Sequence, residues 1–199
     1  ILTDSSGNIY LFKNDTATTA ANGNQRSIIK ISANGDSETT IYTSDAMMMH
    51  PITSNLAEDG TAYILAEFND SSGTNKKSLL ALTSNGVSVI ETGFDYWINN
   101  AKVNQNNELI FIQNHTVPYS LMKASSTGIT SLYTLPNEFE LHSILLDNSN
   151  NLYFFEKDRA NNRYLFQKLD GNTVTTLTSF SGDWINTYGK NLGGYGATA

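Results

Sequence analysis

Four short polar segments of the chain carry residues that could bind a ligand. Each segment holds at least one carboxylate, and three of them also hold aromatic residues; they are residues 44–51, 93–97, 136–142 and 180–184. An aromatic ring stacks on the apolar C–H patches of a sugar, and a carboxylate accepts hydrogen bonds from sugar hydroxyls. The pattern predicts a ligand-binding set of Asp95, Tyr96, Trp97, Glu140, His142, Asp183, Trp184 and His50. The alternative interpretation is structural: the aromatics pack between repeats and the acids cap turns.

Histidines could add acid–base chemistry to these segments. The chain has three, His50, His115 and His142, and imidazole titrates near neutral pH. His50 and His142 both lie where a predicted strand begins, so they could converge, whereas His115 lies in a predicted hairpin loop. No His-x-His or His-Glu-x-x-His spacing indicates a metal site. We therefore predict no metal ligand and assign no residue a catalytic role.

Paired carboxylates would be needed if the chain were a glycan hydrolase. Such an enzyme holds two acids at a defined separation and raises the pKa of one of them. The sequence offers Asp95, Glu138, Glu140 and Asp183 for such a pair. It contains no Gly-x-Ser-x-Gly elbow and no phosphate-binding glycine loop. A hydrolase or lyase that uses these acids with His50 or His142 stays open as an alternative to binding.

An internal repeat predicts the elements that position these segments. One aromatic-rich strand recurs four times, and its copies align on Tyr10, Tyr63, Ile110 and Tyr153 at spacings of 53, 47 and 43 residues. In each copy a polar turn precedes this strand, and a second strand, a glycine-marked turn and an alternating strand follow it. A single domain is expected, with repeats at about 1–44, 45–92, 93–135 and 136–179 and a partial fifth at 180–199.

The strands of each repeat differ in expected burial. Residues 9–12 and 152–155 are apolar at every position, which predicts that both faces of these strands are covered. The last strand of each repeat alternates apolar and polar residues, as a half-exposed edge does. No long stretch keeps the 3.6-residue period of a helix. A four-stranded antiparallel unit with a buried middle is a propeller blade, so we predict an all-β fold, a β-propeller with about four blades.

The turn before the first repeated strand resembles a known motif. The run from Asp4 to Tyr10, Asp-Ser-Ser-Gly-Asn-Ile-Tyr, is similar to the Asp-x-x-Gly-Asn-[Ile/Leu]-Tyr motif of bacterial β-propeller repeats of the NHL-like type. Asp147 to Tyr153 keeps the Asp, Asn and Tyr but lacks the Gly. Other propeller signatures, of the WD-repeat and kelch types, are missing. The resemblance implies an extracytoplasmic scaffold, a binding module or, in a few cases, an enzyme, and therefore fixes no activity.

The two ends of the sequence leave the number of blades open. Residues 1–4 align with 144–147, and 184–186 align with 97–99, so both ends supply the same strand of a blade. One interpretation is a segment of a larger ring of about 6–8 blades. The other is a four-bladed ring with a C-terminal tail.

Composition excludes some partners. The 199 residues include 12 Lys and Arg against 19 Asp and Glu, for a net charge of −7, and no cysteine. Because phosphate binding needs clustered cations, we expect no nucleic acid partner. No apolar run approaches the roughly 20 residues of a membrane helix, so no membrane insertion is expected. The Asp- and Asn-rich turns faintly resemble calcium loops but lack the closing glutamate, so calcium is the one cofactor left open.

These observations favour one function over two alternatives. Few charges, many Asn, Ser and Thr residues and no cysteine fit an extracytoplasmic protein, whether periplasmic, cell-surface or secreted. We expect a non-enzymatic binding or assembly module whose propeller rim binds a protein or a glycan. The alternatives are the glycan hydrolase or lyase above and a purely structural segment of a larger surface assembly.

Overall fold

A computed structural model provides the coordinates, and it describes residues 1–4, 6–15, 25–52, 57, 59–83, 86–113 and 117–181. The described residues form β-strands and connections, with no helix among them. The strands of each sheet follow one another along the chain and pair as antiparallel neighbours.

Among the residues that the structure describes, sixteen strands form four sheets of four. The first contains β1 (Leu2–Thr3), β2 (Ile9–Asp15), β3 (Gln25–Ile31) and β4 (Glu38–Ser44). The second contains β5 (Met48–Pro51), β6 (Ala62–Asn69), β7 (Asn75–Thr83) and β8 (Gly86–Phe94). The third contains β9 (Ile98–Val103), β10 (Leu109–Gln113), β11 (Ser120–Ser125) and β12 (Gly128–Thr134). The fourth contains β13 (Phe139–Leu146), β14 (Leu152–Asp158), β15 (Arg163–Asp170) and β16 (Thr173–Ser181). The strands predicted in the first four repeats are confirmed.

Hydrogen bonds to Asp4 explain the motif before β2. Asp4 Oδ1 accepts the backbone N–H groups of Ser6 at 3.0 Å and Asn8 at 2.9 Å, and Oδ2 accepts Asn8 Nδ2 at 2.8 Å and the Tyr10 hydroxyl at 2.9 Å. Asp, Asn and Tyr thus form one hydrogen-bonded unit. Gly7 supplies the left-handed backbone (φ 81°) that closes the turn. Burial and the bond to Asp4 raise the pKa of Tyr10 to about 12.

The turn before β14 repeats this arrangement. Asp147 Oδ1 accepts the N–H groups of Ser149 and Asn151, and Oδ2 accepts Asn151 Nδ2 at 2.8 Å and the Tyr153 hydroxyl at 3.1 Å. Asn150 has the left-handed conformation that Gly7 has in the first copy, with φ 67°. This explains how the second copy keeps the turn without its glycine, because Asn tolerates that conformation better than most residues. A calcium ion in either turn would have to displace these donors.

The chain divides into two compact units, each with its own apolar core. Unit 1 comprises Ile1–Tyr96, Gln105–Leu109 and Ala124–Ile129, and unit 2 comprises Trp97–Asn104, Ile110–Lys123 and Thr130–Ala199. The core of unit 1 lies between the first and second sheets and includes Tyr10, Ile28, Ile64 and Leu80. The core of unit 2 includes Ile110, Ile112, Ile144 and Phe154 of the third and fourth sheets. In both units, side chains from consecutive sheets pack face to face.

The prediction of complete burial is wrong for both strands to which it was applied. In β2 the residues Ile9, Leu11 and Phe12 are only half-buried, and in β14 buried and half-buried residues alternate. Complete burial occurs instead in β6, where residues 62–67 are all buried, and at residues 109–112 of β10. β2 and β14 belong to the first and fourth sheets, and β6 and β10 belong to the second and third. An apolar sequence therefore shows that both faces of a strand can be buried. It does not show that another part of the protein packs against both faces.

The last strand of each sheet is an exposed edge, as its alternating sequence predicts. Most residues of β4 and β16 are exposed, and β8 and β12 mix exposed and half-buried residues. Within the described part of the chain there is no helix with the length and apolarity needed to cross a membrane.

Candidate functional site

A polar cleft in unit 2 contains two of the predicted ligand-binding residues. It has a volume of about 310 Å³ and is lined by side chains of the third and fourth sheets, namely Asn99, Asn100, Tyr119, Glu140, Leu141 and His142. The asparagines belong to β9, Tyr119 directly precedes β11, and the last three belong to β13. The fold therefore brings Glu140 and His142 into one site, in agreement with their shared place in the sequence pattern.

A β-bulge in β13 sets the position of His142. Leu141 pairs with Glu156 and Ser143 pairs with Phe155, so His142 has no partner of its own in the β13–β14 register. Bulges bend a strand and redirect a side chain, and they are common next to functional sites. The His142 carbonyl instead accepts a hydrogen bond from Asn100 Nδ2 at 2.7 Å. Asn100 itself has a left-handed backbone, with φ 48°. Two irregular residues on neighbouring sheets thus fix one wall of the cleft.

The charged groups of the cleft are neutralised within the protein. Glu140 forms an ion pair with the Arg159 guanidinium, and the Arg159 backbone N–H donates to the Glu138 carbonyl at 3.2 Å. His142 Nε2 lies 3.5 Å from Glu140 Oε2. Burial, and secondarily the positive charge of Lys157, lower the pKa of His142. A nearby carboxylate would raise that pKa, but Arg159 offsets the charge of Glu140. The imidazole is therefore neutral at pH 7 and keeps one donor and one acceptor.

Ring contacts hold the imidazole in place. The His142 and Tyr164 rings lie 5.2 Å apart between centroids, inclined by 59°. Lys157 Nζ lies 5.6 Å from the centroid of the same Tyr164 ring. His142 still has 43% of its side-chain area exposed, so a ligand in the cleft can reach it. The cleft thus offers two amides, a carboxylate and a neutral imidazole on strands, and the phenol ring of Tyr119 directly before β11.

Asp95 and Tyr96 lie in unit 1, and their contacts there fit the packing interpretation. The Tyr96 ring stacks on Phe94 at 4.6 Å, and burial, followed by the charges of Glu91 and Asp95, raises its pKa to about 12. Asp95 is exposed and lies 4.0 Å from Lys76 Nζ. Its backbone carbonyl accepts a hydrogen bond from the buried Lys77 at 3.4 Å. Tyr96 therefore anchors the segment after β8, and a ligand role for Asp95 and Tyr96 stays a prediction.

Trp97 and His50 have different surroundings. Trp97 belongs to unit 2, directly precedes β9 and is 42% exposed. His50 lies on β5 opposite Leu65 of β6. Its Nδ1 is buried and has no hydrogen-bond partner among the described residues. The predicted convergence of His50 with His142 stays a prediction, as do the ligand roles of Trp97 and His50. Asp183 and Trp184 lie outside the described residues.

A second, larger cleft opens in unit 1. It has a volume of about 530 Å³, and residues 44–47 of the first predicted segment form part of its wall. Ala66, Leu80 and Val89 contribute apolar surface, and Ser78 and Thr92, whose hydroxyls lie 2.6 Å apart, contribute polar groups. None of the eight predicted ligand-binding residues lines this cleft. It differs from the cleft of unit 2 in having an apolar wall.

Sequence reasoning missed three residues that line the polar cleft. Asn99 and Asn100 directly follow Trp97 and Ile98. Because Trp97 and Ile98 align with residues 184–185 of the repeat, this part of the sequence was interpreted as a strand and not as part of a binding site. Two asparagines at the start of a strand could have indicated an irregular backbone there, because Asn tolerates the left-handed conformation found at Asn100. Tyr119 gave no signal, since it lies in a different repeat position from the segments with acids. Arg159, which neutralises Glu140, was also missed.

Solved structures share the fold of this chain at low identity. A puromycin hydrolase mutant matches with a TM-score of 0.56 and 13% identity, over 89% of this chain and 30% of that one. A puromycin-hydrolyzing peptidase from Mycobacterium tuberculosis matches with a TM-score of 0.54 and 12% identity, over 89% and 30% of the two chains. The β-propeller domain of the Trilobed protease from Pyrococcus furiosus matches with a TM-score of 0.49 and 9% identity, over 86% and 53%.

These comparisons bear on fold and not on activity. No protein-family model matches the chain, and no curated protein matches it. The chain spans about 30% of the length of the puromycin hydrolase that it matches. Together with the four meandering sheets, the likeness confirms the predicted all-β fold: the chain has a β-propeller fold, with four blades among its described residues.

Proposed function

We propose that the chain is a carbohydrate-binding propeller module and that the polar cleft of unit 2 is its binding site. The observation that carries the proposal is the grouping of Asn99, Asn100, Tyr119, Glu140 and His142 in one cleft. Sugar hydroxyls both donate and accept, and amide, carboxylate and neutral imidazole groups offer the matching partners. Tyr119, which packs against the core of unit 2 on one side, adds an aromatic residue to the lining for the C–H face of a sugar.

Neutral glycans fit this cleft better than charged ones. Arg159 neutralises Glu140, and the lowered pKa of His142 keeps its imidazole uncharged at pH 7. A charged ligand would have to lose its hydration without gaining an opposite charge in return. The proposed ligands are therefore neutral oligosaccharides.

The number of carboxylates in the cleft favours binding over hydrolysis. Glycoside hydrolysis uses two carboxyl groups on either side of the scissile bond, about 5–9.5 Å apart. Glu140 is the one carboxylate in the lining of this cleft, and it is ion-paired with Arg159, so the cleft lacks the second acid that hydrolysis needs. Turnover of a bound oligosaccharide would be the sign that the hydrolase alternative is right.

Two further parts of the proposal rest on sequence. The motif at Asp4 and Asp147 supports an NHL-like repeat type, since both copies build the same hydrogen-bonded turn. The low charge content and the absence of cysteine support an extracytoplasmic location. A protein is the other partner considered above, and it would bind at the same cleft.

Isothermal titration calorimetry with neutral hexasaccharides tests the proposal. The probes are cellohexaose, chitohexaose and maltohexaose, each titrated into the wild type and into His142→Ala and Tyr119→Ala. We expect at least one probe to bind the wild type and both variants to weaken binding about fivefold or more, because each loses a contact worth about 1–3 kcal/mol. Reducing-end release is measured in the same samples, and we expect none.

A matched pair of carboxylate variants provides the control. Glu140→Gln changes the polar cleft and Asp45→Asn changes the cleft of unit 1. Only the first should alter affinity, while circular dichroism and thermal melting should be similar for both. Absence of binding by all three probes, or equal losses in the two variants, would refute the site.

A further inference from the structure

Two buried polar side chains of the fourth sheet bond to each other inside unit 2. Glu156 of β14 is 3% exposed and Gln167 of β15 is 4% exposed. Leu165 pairs with Glu156 and Gln167 pairs with Phe154, so Gln167 is a diagonal neighbour of Glu156 on the side that bears the buried Phe154. Gln167 Nε2 donates to Glu156 Oε1 at 2.7 Å. This bond uses one polar atom of each side chain.

The second oxygen of the carboxyl group and the oxygen of the amide are left without a donor. Glu156 Oε2 and Gln167 Oε1 are both buried and have no hydrogen-bond partner among the described residues. An amide oxygen accepts hydrogen bonds, and so does each oxygen of an ionised carboxylate. Buried acceptors without donors cost free energy, and a buried charge without a counter-ion costs more. One proton on Glu156 would remove the charge and turn Oε2 into a donor for Gln167 Oε1.

Two cations of the fourth sheet that are close to Glu156 in sequence or pairing contact other groups. Arg163 Nε donates to Asp158 Oδ2 at 2.8 Å, and Asp158 is itself 1% exposed. Lys157 lies on the other side of β14, where its Nζ is 5.6 Å from the centroid of the Tyr164 ring. Neither cation therefore offsets the charge that an ionised Glu156 would bring into the core.

The strands packed against β14 add few charges. Leu141 of β13 pairs with Glu156, and β10 and β16 contain no charged residue. The titratable residues on the other strands include Glu140 and His142 of β13, Tyr133 of β12 and, on the side of β11 that bears Leu121, Lys123. Burial is the largest influence on the pKa of Glu156 and raises it, and the charge of Asp158 adds to the rise. The bond from Gln167 lowers this pKa and offsets the rise only in part.

We propose that Glu156 and Gln167 form a neutral acid–amide pair in which the Glu156 carboxyl group carries a proton. Gln167 Nε2 donates to Glu156 Oε1, and Glu156 Oε2–H donates to Gln167 Oε1, so both buried oxygens are satisfied. The pair is a pH-sensitive link between β14 and β15. Its stabilisation is fully present below the ordinary Glu value of 4.5 and is lost as the pH rises through the folded value. The link lies beside the polar cleft, because Leu141, opposite Glu156, directly precedes the bulge that carries His142.

Nuclear magnetic resonance of the chain labelled with ¹³C at the glutamate carboxyl carbons tests for the proton directly. The Glu156 signal is the one that is lost in Glu156→Gln. We expect this signal to titrate above pH 4.5 and the side-chain N–H signals of Gln167 to shift with the same midpoint. A Glu156 signal that titrates at or below pH 4.5 would overturn the proposal, because water or a cation would then have to satisfy the two oxygens.

Urea unfolding between pH 4 and pH 8 tests the link between the strands. We expect the wild-type midpoint to fall relative to that of Glu156→Gln as the pH rises, because the second amide donates to Gln167 Oε1 at every pH. Glu38→Gln is the matched control, since Glu38 is an exposed residue of the edge strand β4. Its midpoint should follow the wild type throughout. A difference between the wild type and Glu156→Gln that stays constant over the whole range would refute the link.

Discussion

The inner strands of the second and fourth sheets have similar sequences and different burial. Residues 62–67 of β6 are all buried, whereas Leu152, Phe154, Glu156 and Asp158 of β14 are buried and the residues between them are half-buried. The second strand of each sheet gives the same contrast, since residues 77–82 of β7 are all buried and Phe166 and Lys168 of β15 are not. Burial therefore depends on which sheets lie beside a strand as well as on the sequence of the strand.

This difference separates two kinds of apolar residue in the fourth sheet. Residues that face the core of unit 2, such as Phe154, contribute most to the stability of the fold, whereas Tyr153, Phe155 and Phe166 on the opposite side of the sheet are only half-buried. The side that faces the core also holds buried polar groups, because Gln167 Nε2 donates to Glu156 Oε1 at 2.7 Å within the sheet. The comparison can be tested by changing one face at a time.

The largest effect is expected from Phe154 and Phe155, which are neighbours on opposite faces. Phe154 is fully buried and Phe155 is half-buried. Phe154→Ala should lower the free energy of unfolding by about 3–5 kcal/mol, since it leaves a cavity in the core. Phe155→Ala should cost about 1 kcal/mol in dilute solution, because it removes less buried area. Urea denaturation measures both, and equal losses would contradict the assignment of the two faces.

A smaller effect is expected from two tyrosines at the same repeat position. Tyr63 is buried, and its hydroxyl donates to the Asn107 carbonyl at 2.5 Å. Tyr153 is half-buried, and its hydroxyl donates to Asp147 at 3.1 Å. Tyr63→Phe should cost about 1–2 kcal/mol, because it leaves a carbonyl without its donor. Tyr153→Phe should cost less, because the half-buried Asp147 carboxylate keeps its three other donors, from Ser149 and Asn151. Thermal melting of both variants checks the order, and a larger loss for Tyr153→Phe would reverse the comparison.

Glu156→Gln should be stabilising. Burial, reinforced by the charge of Asp158, raises the pKa of Glu156 above its ordinary 4.5. A raised folded-state pKa means that stability is fully present below pH 4.5 and is lost as the pH rises through the folded value. A glutamine amide at position 156 carries no charge, so the variant does not lose stability as the pH rises, and its side-chain oxygen still accepts from Gln167 Nε2. The gain in the free energy of unfolding should be about 1 kcal/mol at pH 7. Melting curves at pH 4 and pH 7 test this, and the gain should shrink at pH 4.

The smallest effect concerns the pH dependence of carbohydrate binding. The lowered pKa of His142 keeps the imidazole neutral at pH 7, and protonation begins only as the pH falls below the ordinary value of 6.5. Protonation removes an acceptor from the cleft, so the affinity for a neutral oligosaccharide should fall severalfold between pH 7 and pH 5. His142→Gln should bind with little pH dependence. Calorimetry at both pH values decides, and a fall of the same size in His142→Gln would exclude the imidazole as its cause.

The sequence predicts the sheets well because their signals are local. The strands, the exposed edge strands and the fourfold repeat all follow from alternation and from turn residues such as Gly35 and Gly128, which have positive φ values of 77° and 124°. Burial on both faces was predicted for β2 and β14 and found for β6 and β10. That property depends on neighbouring sheets, which no local pattern records.

The candidate site was predicted only in part for the same physical reason. Glu140 and His142 were identified from their types, and the structure places both in one cleft. The bulge that redirects His142 and the Asn100 contact to its carbonyl depend on the pairing of two sheets. Arg159 lies 19 residues from Glu140 in the sequence, so its ion pair has no local signature.

The most direct test of the proposed site is a nuclear magnetic resonance titration of the ¹⁵N-labelled chain with cellohexaose, chitohexaose and maltohexaose. We expect at least one of them to shift the side-chain amide signals of Asn99 and Asn100 and the ring signals of His142 along one saturating curve. The Asn69 amide, in the cleft of unit 1, should not move. Saturable shifts confined to Asn69, or no shift with any of the three sugars, would contradict carbohydrate binding at the His142 bulge.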